Sequence, residues 1–356
     1  MTPHDDLTST HAASALLPDL PHGAEVLLIR LRSLGDLVLE TPAIRALHDW
    51  RPDLRISVLA EERFAAVFEG NPAISEVLIS RGLTETALEL RRRKFPTAFN
   101  QHGGPRSAML TGASGATHRV GWTGYQYSFL YNVHVPDAVE FYGGAPVHTV
   151  EHRISQLYFC GLPRGPIPAT ELFPQADAIA SAMAKIRAKG IASAARYAVL
   201  QPGARLPGMR WPIENFAAVA RWLRDAHQIA SVVNVAERDE AVAVEAGAEF
   251  RDCAVIPSAL DVRELIGLIS GASLFVGNDS GPAHIASALG VPTVVIFSET
   301  DPAQWGPRSA RSRVVSTGVT FRHPRGDKAL LVTQARSIDA IREDEVRAAC
   351  EDVLRP

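Results

Sequence analysis

The stretch Val26-Leu27-Leu28-Ile29-Arg30-Leu31 is almost continuously apolar, and the turn-like Arg32-Ser33-Leu34-Gly35-Asp36 and a helical pattern follow it at once. A short apolar run of this kind suits a strand covered on both faces, which is the habit of parallel sheets. Strand-like segments recur at Ile56-Ser57-Val58-Leu59-Ala60, Val77-Leu78-Ile79 and Thr97-Ala98-Phe99-Asn100, with helical stretches between them. Parallel strands need crossover connections, so this alternation argues for βαβ units and against an antiparallel sheet. Thr41 and Pro42 are expected as the N-cap and first helical residue of the helix that leaves the first strand.

The pattern restarts after roughly residue 175. A helix from Ala178 to Lys189 stops at Gly190, and strand Tyr197 to Gln201, helix Ile213 to Ala226, strand Ser231 to Val235 and helix Asp239 to Gly247 succeed it. Asp261 and Glu264 have capping-box spacing ahead of a helix Val262 to Ser270. Strand Leu274 to Gly277, helix Pro282 to Leu289, strand Thr293 to Phe297 and a last helix Arg342 to Leu354 complete the order. The fold class is therefore α/β, two successive doubly wound units; the Pro- and Gly-rich stretch Gly161 to Pro168 reads as their linker. Ligands of such sheets bind beyond the carboxyl ends of the strands, so two facing units would share a central cleft. The expected domains are a disordered tail over 1–23, a first unit over 24–172, a second over 173–335 and a C-terminal helix over 336–356.

At 356 residues the chain has room for two cores, and 46 % hydrophobic with 21 % charged residues is a globular composition. A net charge of -3 gives no general attraction for nucleic acid. The basic run Arg91-Arg92-Arg93-Lys94 reads first as a solvated helix end, with peripheral contact at the inner membrane surface as the secondary reading. The three cysteines show no ligand spacing, and the first residues lack a basic start followed by an apolar stretch. No window reaches the length of a membrane span, and the expectation is a cytoplasmic protein.

The strongest phosphate signal is Gly277-Asn278-Asp279-Ser280-Gly281-Pro282-Ala283-His284, directly after a strand. Pro282 stands where a first helical residue should, which leaves amide groups around Ser280 to Ala283 free to meet an anion at the positive end of a helix. The Ser280 hydroxyl and His284 imidazole can add donors; the competing reading is a capped turn with no ligand. Asp36 holds the matching place in the first unit, either as a turn carboxylate or as a general base for an acceptor hydroxyl. Arg205 and Arg210, on the loop after Gln201, either neutralise a departing diphosphate or are ordinary surface charges. The chain carries no G-x-x-x-x-G-K-[ST] loop, no G-x-G-x-x-G after the first strand, no H-E-x-x-H or paired-cysteine metal site, no G-x-S-x-G elbow and no Asp-x-Asp pair. Those absences point away from kinase, dehydrogenase, metallohydrolase and esterase chemistry.

The run Leu28-Ile29-Arg30-Leu31-Arg32-Ser33-Leu34-Gly35-Asp36 with Thr41-Pro42-Ala43-Ile44-Arg45-Ala46-Leu47 resembles the opening of glycosyltransferase family 9, the lipopolysaccharide heptosyltransferases. Asp279-Ser280-Gly281-Pro282-Ala283-His284-Ile285-Ala286 with Ala288 to Thr293 is similar to a second signature of that family, and Thr300-Asp301-Pro302 with Trp305-Gly306-Pro307 to a third. Arg119-Val120-Gly121 and His148 with Glu151 are weaker echoes, so the likeness runs over residues 25 to 310. The resemblance implies a GT-B fold of two Rossmann-like domains, the first taking the acceptor and the second the nucleotide sugar, with the C-terminal helix packing back on the first. It implies an inverting, metal-independent transfer from ADP-L-glycero-D-manno-heptose to an acceptor hydroxyl, with no cofactor. By the same resemblance Asp36 is the base, Asp279 orients the donor sugar, Ser280, Gly281 and His284 contact its phosphates, and Glu237 binds the ribose. The chain departs from the pattern at Met209, where the family usually has Lys, at Asn234-Val235 in place of Gly-Gly, at Ser298-Glu299 and at Arg32. Transfer of a related sugar to a small-molecule acceptor, or a non-catalytic nucleotide-sugar binder, are the alternatives.

Overall fold

A computed structural model describes residues 15–355 apart from 126, 145–146, 193, 236–239, 323–330 and 334, with backbone alone for 240, 320–322 and 331–333. The chain divides into two units, Met1–Thr170 and Glu171–Pro356. In the first, strands β1 (Glu25–Ile29), β2 (Arg55–Ala60), β3 (Glu76–Ile79), β4 (Thr97–Asn100), β5 (His118–Trp122) and β6 (Val133–Val135) form one parallel sheet in the order β3-β2-β1-β4-β5-β6. In the second, β7 (Tyr197–Gln201), β8 (Ala230–Val233), β9 (Ala254–Val255), β10 (Leu274–Asn278), β11 (Thr293–Phe297) and β12 (Ser312–Ser316) form another, in the order β12-β11-β10-β7-β8-β9. Counted from its own first strand, each sheet runs 3-2-1-4-5-6. The winding reverses between β1 and β4 in one and between β7 and β10 in the other, and these are the points where open α/β sheets hold ligands.

The apolar runs form central strands because both faces are covered: Val26, Leu27, Leu28 and Ile29 are buried, and every residue of β7, β10 and β11 is as well. Strand β1 ends two residues earlier than the apolar pattern suggests. Arg30 and Leu31 lie past it, and Arg30 turns its guanidinium toward the sheet's carboxyl end. The helix Thr41–Trp50 begins one residue before the expected start, with Glu40 as N-cap; the Thr41 hydroxyl donates instead to the Val38 carbonyl, 2.8 Å away. Asp261 and Glu264 do form a reciprocal capping box for helix Val262–Ser270. That helix packs on helix Ala176–Arg187, where Gly267 lies so close to Ala178 that a Cβ there would sit 2.8 Å from a backbone carbon.

Two expectations about the ends change. Residues 15–23 are not a loose tail: Leu17 is fully buried and its N–H donates to the Cys160 carbonyl at 2.9 Å. The Arg51 guanidinium donates to the carbonyls of Leu17, Pro18 and Leu20, which anchors the segment by its backbone. The last helix, Glu343–Leu354, buries its apolar side in the second unit, not the first, because Val346, Cys350 and Val353 join a core with Trp211, Phe216, Leu274 and Ile296. Trp211 fastens the approach to that helix by donating its indole N–H to the Ile341 carbonyl at 2.9 Å. Cys160, Cys253 and Cys350 are buried free thiols. No described helix is long and apolar enough to cross a membrane.

Candidate functional site

Asp36 sits in a one-and-a-half-turn helix, Leu34–Val38, just beyond the carboxyl end of β1. Its carboxylate does not cap that helix. One oxygen receives Arg30 Nη2 at 2.6 Å and Arg153 Nη2 at 3.1 Å, and the other accepts the Ser33 hydroxyl at 3.0 Å. Both guanidiniums are themselves fixed: Arg30 Nη1 and Arg153 Nη1 donate to the same Gln101 carbonyl, at 2.6 and 2.8 Å. Gln101 follows β4, so the carboxylate is held at the winding reversal of the first sheet.

The helix Thr149–Phe159 delivers Arg153. His148 caps it by accepting the Val150 N–H on Nδ1, while the Glu151 carboxylate accepts the His148 N–H at 2.8 Å. The helix is laced to the end of β4 through Gln156 Nε2 to the Asn100 carbonyl and Gln101 Nε2 to the Arg153 carbonyl. Thus His148 and Glu151 serve the helix that carries an arginine to Asp36. Asn100 in turn donates to the Tyr131 hydroxyl at 2.8 Å and accepts the N–H groups of His102 and Gly103. At the end of β5 Trp122 is buried and stacks on His152 with centroids 4.2 Å apart, whereas Phe129, seven residues on, is 77 % exposed.

Electrostatics decide what Asp36 is. Burial pushes its carboxyl up, but the charges of Arg30 and Arg153 and the hydrogen bonds from Ser33 and Arg153 outweigh it and bring the pKa from 3.8 to about 2. It is an anion at any physiological pH. Glu40 is the opposite case: burial raises its carboxyl from 4.5 to about 7, against the pull of Arg153 and Arg30. Burial, then the neighbouring Arg153 charge, lowers Arg30 to about 10, which leaves it a cation at neutrality. Burial, followed by nearby arginines, lowers His102 to about 4 and His152 to about 3, so neither imidazole is charged at pH 7.

In the second unit Asp279 emerges from the end of β10, its N–H bonded to the Ile296 carbonyl and its carboxylate accepting the Thr300 hydroxyl. Burial pushes this carboxyl up to about 6, with the Thr300 hydrogen bond and the Arg205 charge pulling it down. Helix Gly281–Ala288 starts with Gly281, one residue earlier than expected, and Ser280 is its N-cap in extended conformation. Ala283 N–H is spent on the Ser280 carbonyl and Pro282 has none, so the amides left open at this helix start are those of Ser280 and Gly281. The Ser280 hydroxyl is likewise engaged, donating to the Asn278 carbonyl at 3.0 Å. His284 is buried one turn into the helix, and Gly290 ends it with φ +69.

The loop after β7 is braced from three sides. The Asn278 side chain accepts the Trp211 N–H at 3.1 Å and donates to the Pro202 carbonyl at 2.7 Å; the Ser298 hydroxyl donates to the Gly208 carbonyl. Arg210 turns inward, with Nε and Nη2 both on the Ala204 carbonyl at 3.2 Å, and so holds the loop's shape. Arg205 stays exposed and near Asp279. Met209 is buried. Glu237 lies outside the described residues. Among the described residues no three His, Cys, Asp or Glu side chains gather closely enough to hold a metal ion.

The structure thus brings Asp279, Ser280, Gly281 and Arg205 together in one unit and surrounds Asp36 in the other with Arg30, Arg153, Glu40 and Gln101. Sequence reasoning passed over those four. The signal for Arg30 was present, since a charge inside an apolar run needs a buried partner. Arg153 had none, lying 117 residues from Asp36.

The family model described as Glycosyltransferase family 9 (heptosyltransferase) matches residues 84–328. Lipopolysaccharide heptosyltransferase 2 of Escherichia coli strain K12 is 25 % identical over 310 residues, which is 82 % of this chain and 87 % of that protein. Among solved structures, a glycosyl transferase family 9 protein from Veillonella parvula superposes with a TM-score of 0.79 at 20 % identity, over 93 % of this chain and 97 % of its own. The E. coli ADP-heptose lps heptosyltransferase II follows at 0.76 and 22 %, over 93 % and 98 %. The fold is GT-B, with two Rossmann-like units.

Proposed function

We propose, from the premise that this chain belongs to glycosyltransferase family 9, that it is an inverting transferase carrying heptose from ADP-L-glycero-D-manno-heptose to a hydroxyl of a lipopolysaccharide core acceptor. The glycosyltransferase activity is the family's own; the donor and acceptor named here are supported by the names of its relatives, a lipopolysaccharide heptosyltransferase and an ADP-heptose lps heptosyltransferase. The observation that carries the reading is Asp36, a carboxylate kept ionised and aimed at the carboxyl end of β1 by two buried guanidiniums.

In this mechanism the acceptor hydroxyl attacks the anomeric carbon while its proton passes to Asp36, and the bond to the diphosphate breaks as the new glycosidic bond forms. One displacement inverts the configuration. With a pKa of about 2 the carboxylate is a weak base, so the proton moves late, once the attacking oxygen has grown acidic through bond formation. The leaving diphosphate is received by the open amides of Ser280 and Gly281, by the positive end of helix Gly281–Ala288 and by the exposed Arg205. No metal is required in that scheme. Asp279, ionised above about pH 6, accepts from hydroxyls of the donor sugar and sets its orientation. Arg210 shapes the loop through the Ala204 carbonyl; Glu237 is the candidate ribose ligand by resemblance.

The test is Asp36→Asn, assayed by ADP release from ADP-heptose with a heptose-free lipopolysaccharide core oligosaccharide as acceptor. Transfer is expected to fall by about 10²- to 10⁴-fold with donor affinity retained. Turnover near the wild-type rate would remove Asp36 from the role of base.

A further inference from the structure

Glu40 is a charged residue type at a site with no exposure, and neither of its carboxylate oxygens accepts a hydrogen bond. Its nearest cationic atom is Arg153 Nε, at 3.9 Å, and that nitrogen also lacks a hydrogen-bond partner. The other two nitrogens of the same guanidinium are committed, one to the Gln101 carbonyl and one to Asp36. Arg153 is therefore a bridge with Asp36 on one edge and Glu40 on the other. A buried carboxyl without hydrogen bonds is expensive, and an apolar residue would fill the space without that cost.

We propose that Glu40 is a positioning residue for Asp36: when ionised it takes a share of the Arg153 charge, and so raises the affinity of Asp36 for the acceptor's proton. The proposal rests on the reading of Asp36 as the base. Its logic is a charge balance. Arg30 and Arg153 together bring two positive charges; Asp36 answers one of them. With Glu40 neutral the cluster keeps a surplus positive charge, which suppresses protonation of Asp36. With Glu40 ionised the cluster is balanced, and Asp36 becomes the stronger base. Burial holds the Glu40 carboxyl near pH 7, so its change of state falls at neutrality. The groups facing Glu40 are Arg153, Arg30 and Asp36, with the Tyr125 hydroxyl next to Arg153 and the neutral His102 and His152 behind them. None of the last three changes charge between pH 6 and 9, so within this cluster the step near neutrality belongs to Glu40, while Asp279, with its midpoint near 6, acts on the donor KM and not on kcat.

The experiment compares kcat and the donor KM of the wild-type enzyme and Glu40→Gln from pH 5.5 to 9, with Asp36→Asn alongside. Wild-type kcat is expected to climb about 3- to 10-fold through neutrality, the size of effect that follows when one carboxylate shifts another by about one pKa step. Glu40→Gln should stay on the low-pH level throughout, with the donor KM within about 2-fold of wild type. A Glu40→Gln enzyme that retains the wild-type rise, beside an inactive Asp36→Asn, overturns this proposal and leaves the base in place. An active Asp36→Asn overturns the base and this proposal with it. Should Glu40→Gln fail to fold, carbon-13 NMR of the side-chain carboxyls in the intact wild-type protein decides: a glutamate titrating near pH 7 with a coupled step on an aspartate supports the proposal, and titration of every glutamate below pH 5.5 overturns it.

Discussion

Replacing Glu40 by Gln should make the first unit more stable near neutral pH and above, and leave it unchanged in acid. In the unfolded chain this carboxyl ionises at its ordinary 4.5; in the folded unit burial delays ionisation to about 7. Between those values the unfolded state binds fewer protons than the folded one, so stability falls as pH rises. Below 4.5 both states are protonated and there is no penalty; above 7 both are ionised and the penalty is complete. At about 1.4 kcal/mol per pKa step the full penalty is about 3 kcal/mol. Gln has the same size and no charge, so the variant escapes it. For a unit of this size, 1 kcal/mol moves the melting temperature by about 2–4 °C, which predicts a gain of about 6–12 °C at pH 8 and almost none at pH 4.5. Thermal unfolding followed by near-ultraviolet circular dichroism at the two pH values measures this directly. An equal shift at both pH values, or a less stable variant at pH 8, would refute the burial argument. The same substitution is expected to slow turnover, so stability and rate should move in opposite directions.

Two further outcomes follow from the second unit. Removing the Thr300 hydroxyl by Thr300→Val takes away a hydrogen bond that favours the ionised Asp279, whose carboxyl then rises further above its present value of about 6. Donor binding that needs the anion holds above that midpoint and is lost as pH falls through it. The pH at which KM for ADP-heptose begins to climb should therefore move up by about one step; an unmoved midpoint would refute it. Gly267→Ala would place a Cβ 2.8 Å from backbone atoms of Ala178 and Ile179, which have no rotamer through which to yield. The second unit should lose about 1–3 kcal/mol in urea denaturation, and the first none.

The strand-and-helix alternation was legible because burial on both faces forces long apolar runs such as Leu274 to Val276. The helix starts after β1 and β10 were legible to within a residue, Glu40 displacing Thr41 and Gly281 displacing Pro282, while the helix expected from Ala178 begins two residues earlier at Ala176. Short edge strands were not, since β6 and β9 carry three and two residues and too little pattern to register. The tail over 15–23 read as disordered because its apolar content is small; what orders it is an arginine 31 to 34 residues downstream taking its carbonyls, a contact without local trace. Asp36 and Asp279 could be picked out by their place after a strand. Their surroundings could not, because Arg153 and Thr300 reach them across the fold, not along the chain. The contact of Arg210 was not legible for a related reason: a loop guanidinium can answer its own loop's carbonyl, and nothing in the residue order announces it.

Trp211 gives the protein an unexpected dependence on its last residues. Its backbone N–H is held by Asn278, the neighbour of Asp279, and its indole is held by Ile341, at the doorstep of the closing helix. A premature stop that deletes that helix would strip Val346, Cys350 and Val353 from the core that Trp211 shares and leave the Ile341 carbonyl, the indole's anchor, on an unpacked chain end. The damage would then surface at the loop carrying Arg205, more than a hundred residues away in the gene. A clipped closing helix is thus expected to disturb the loop proposed to receive the donor, not the core alone.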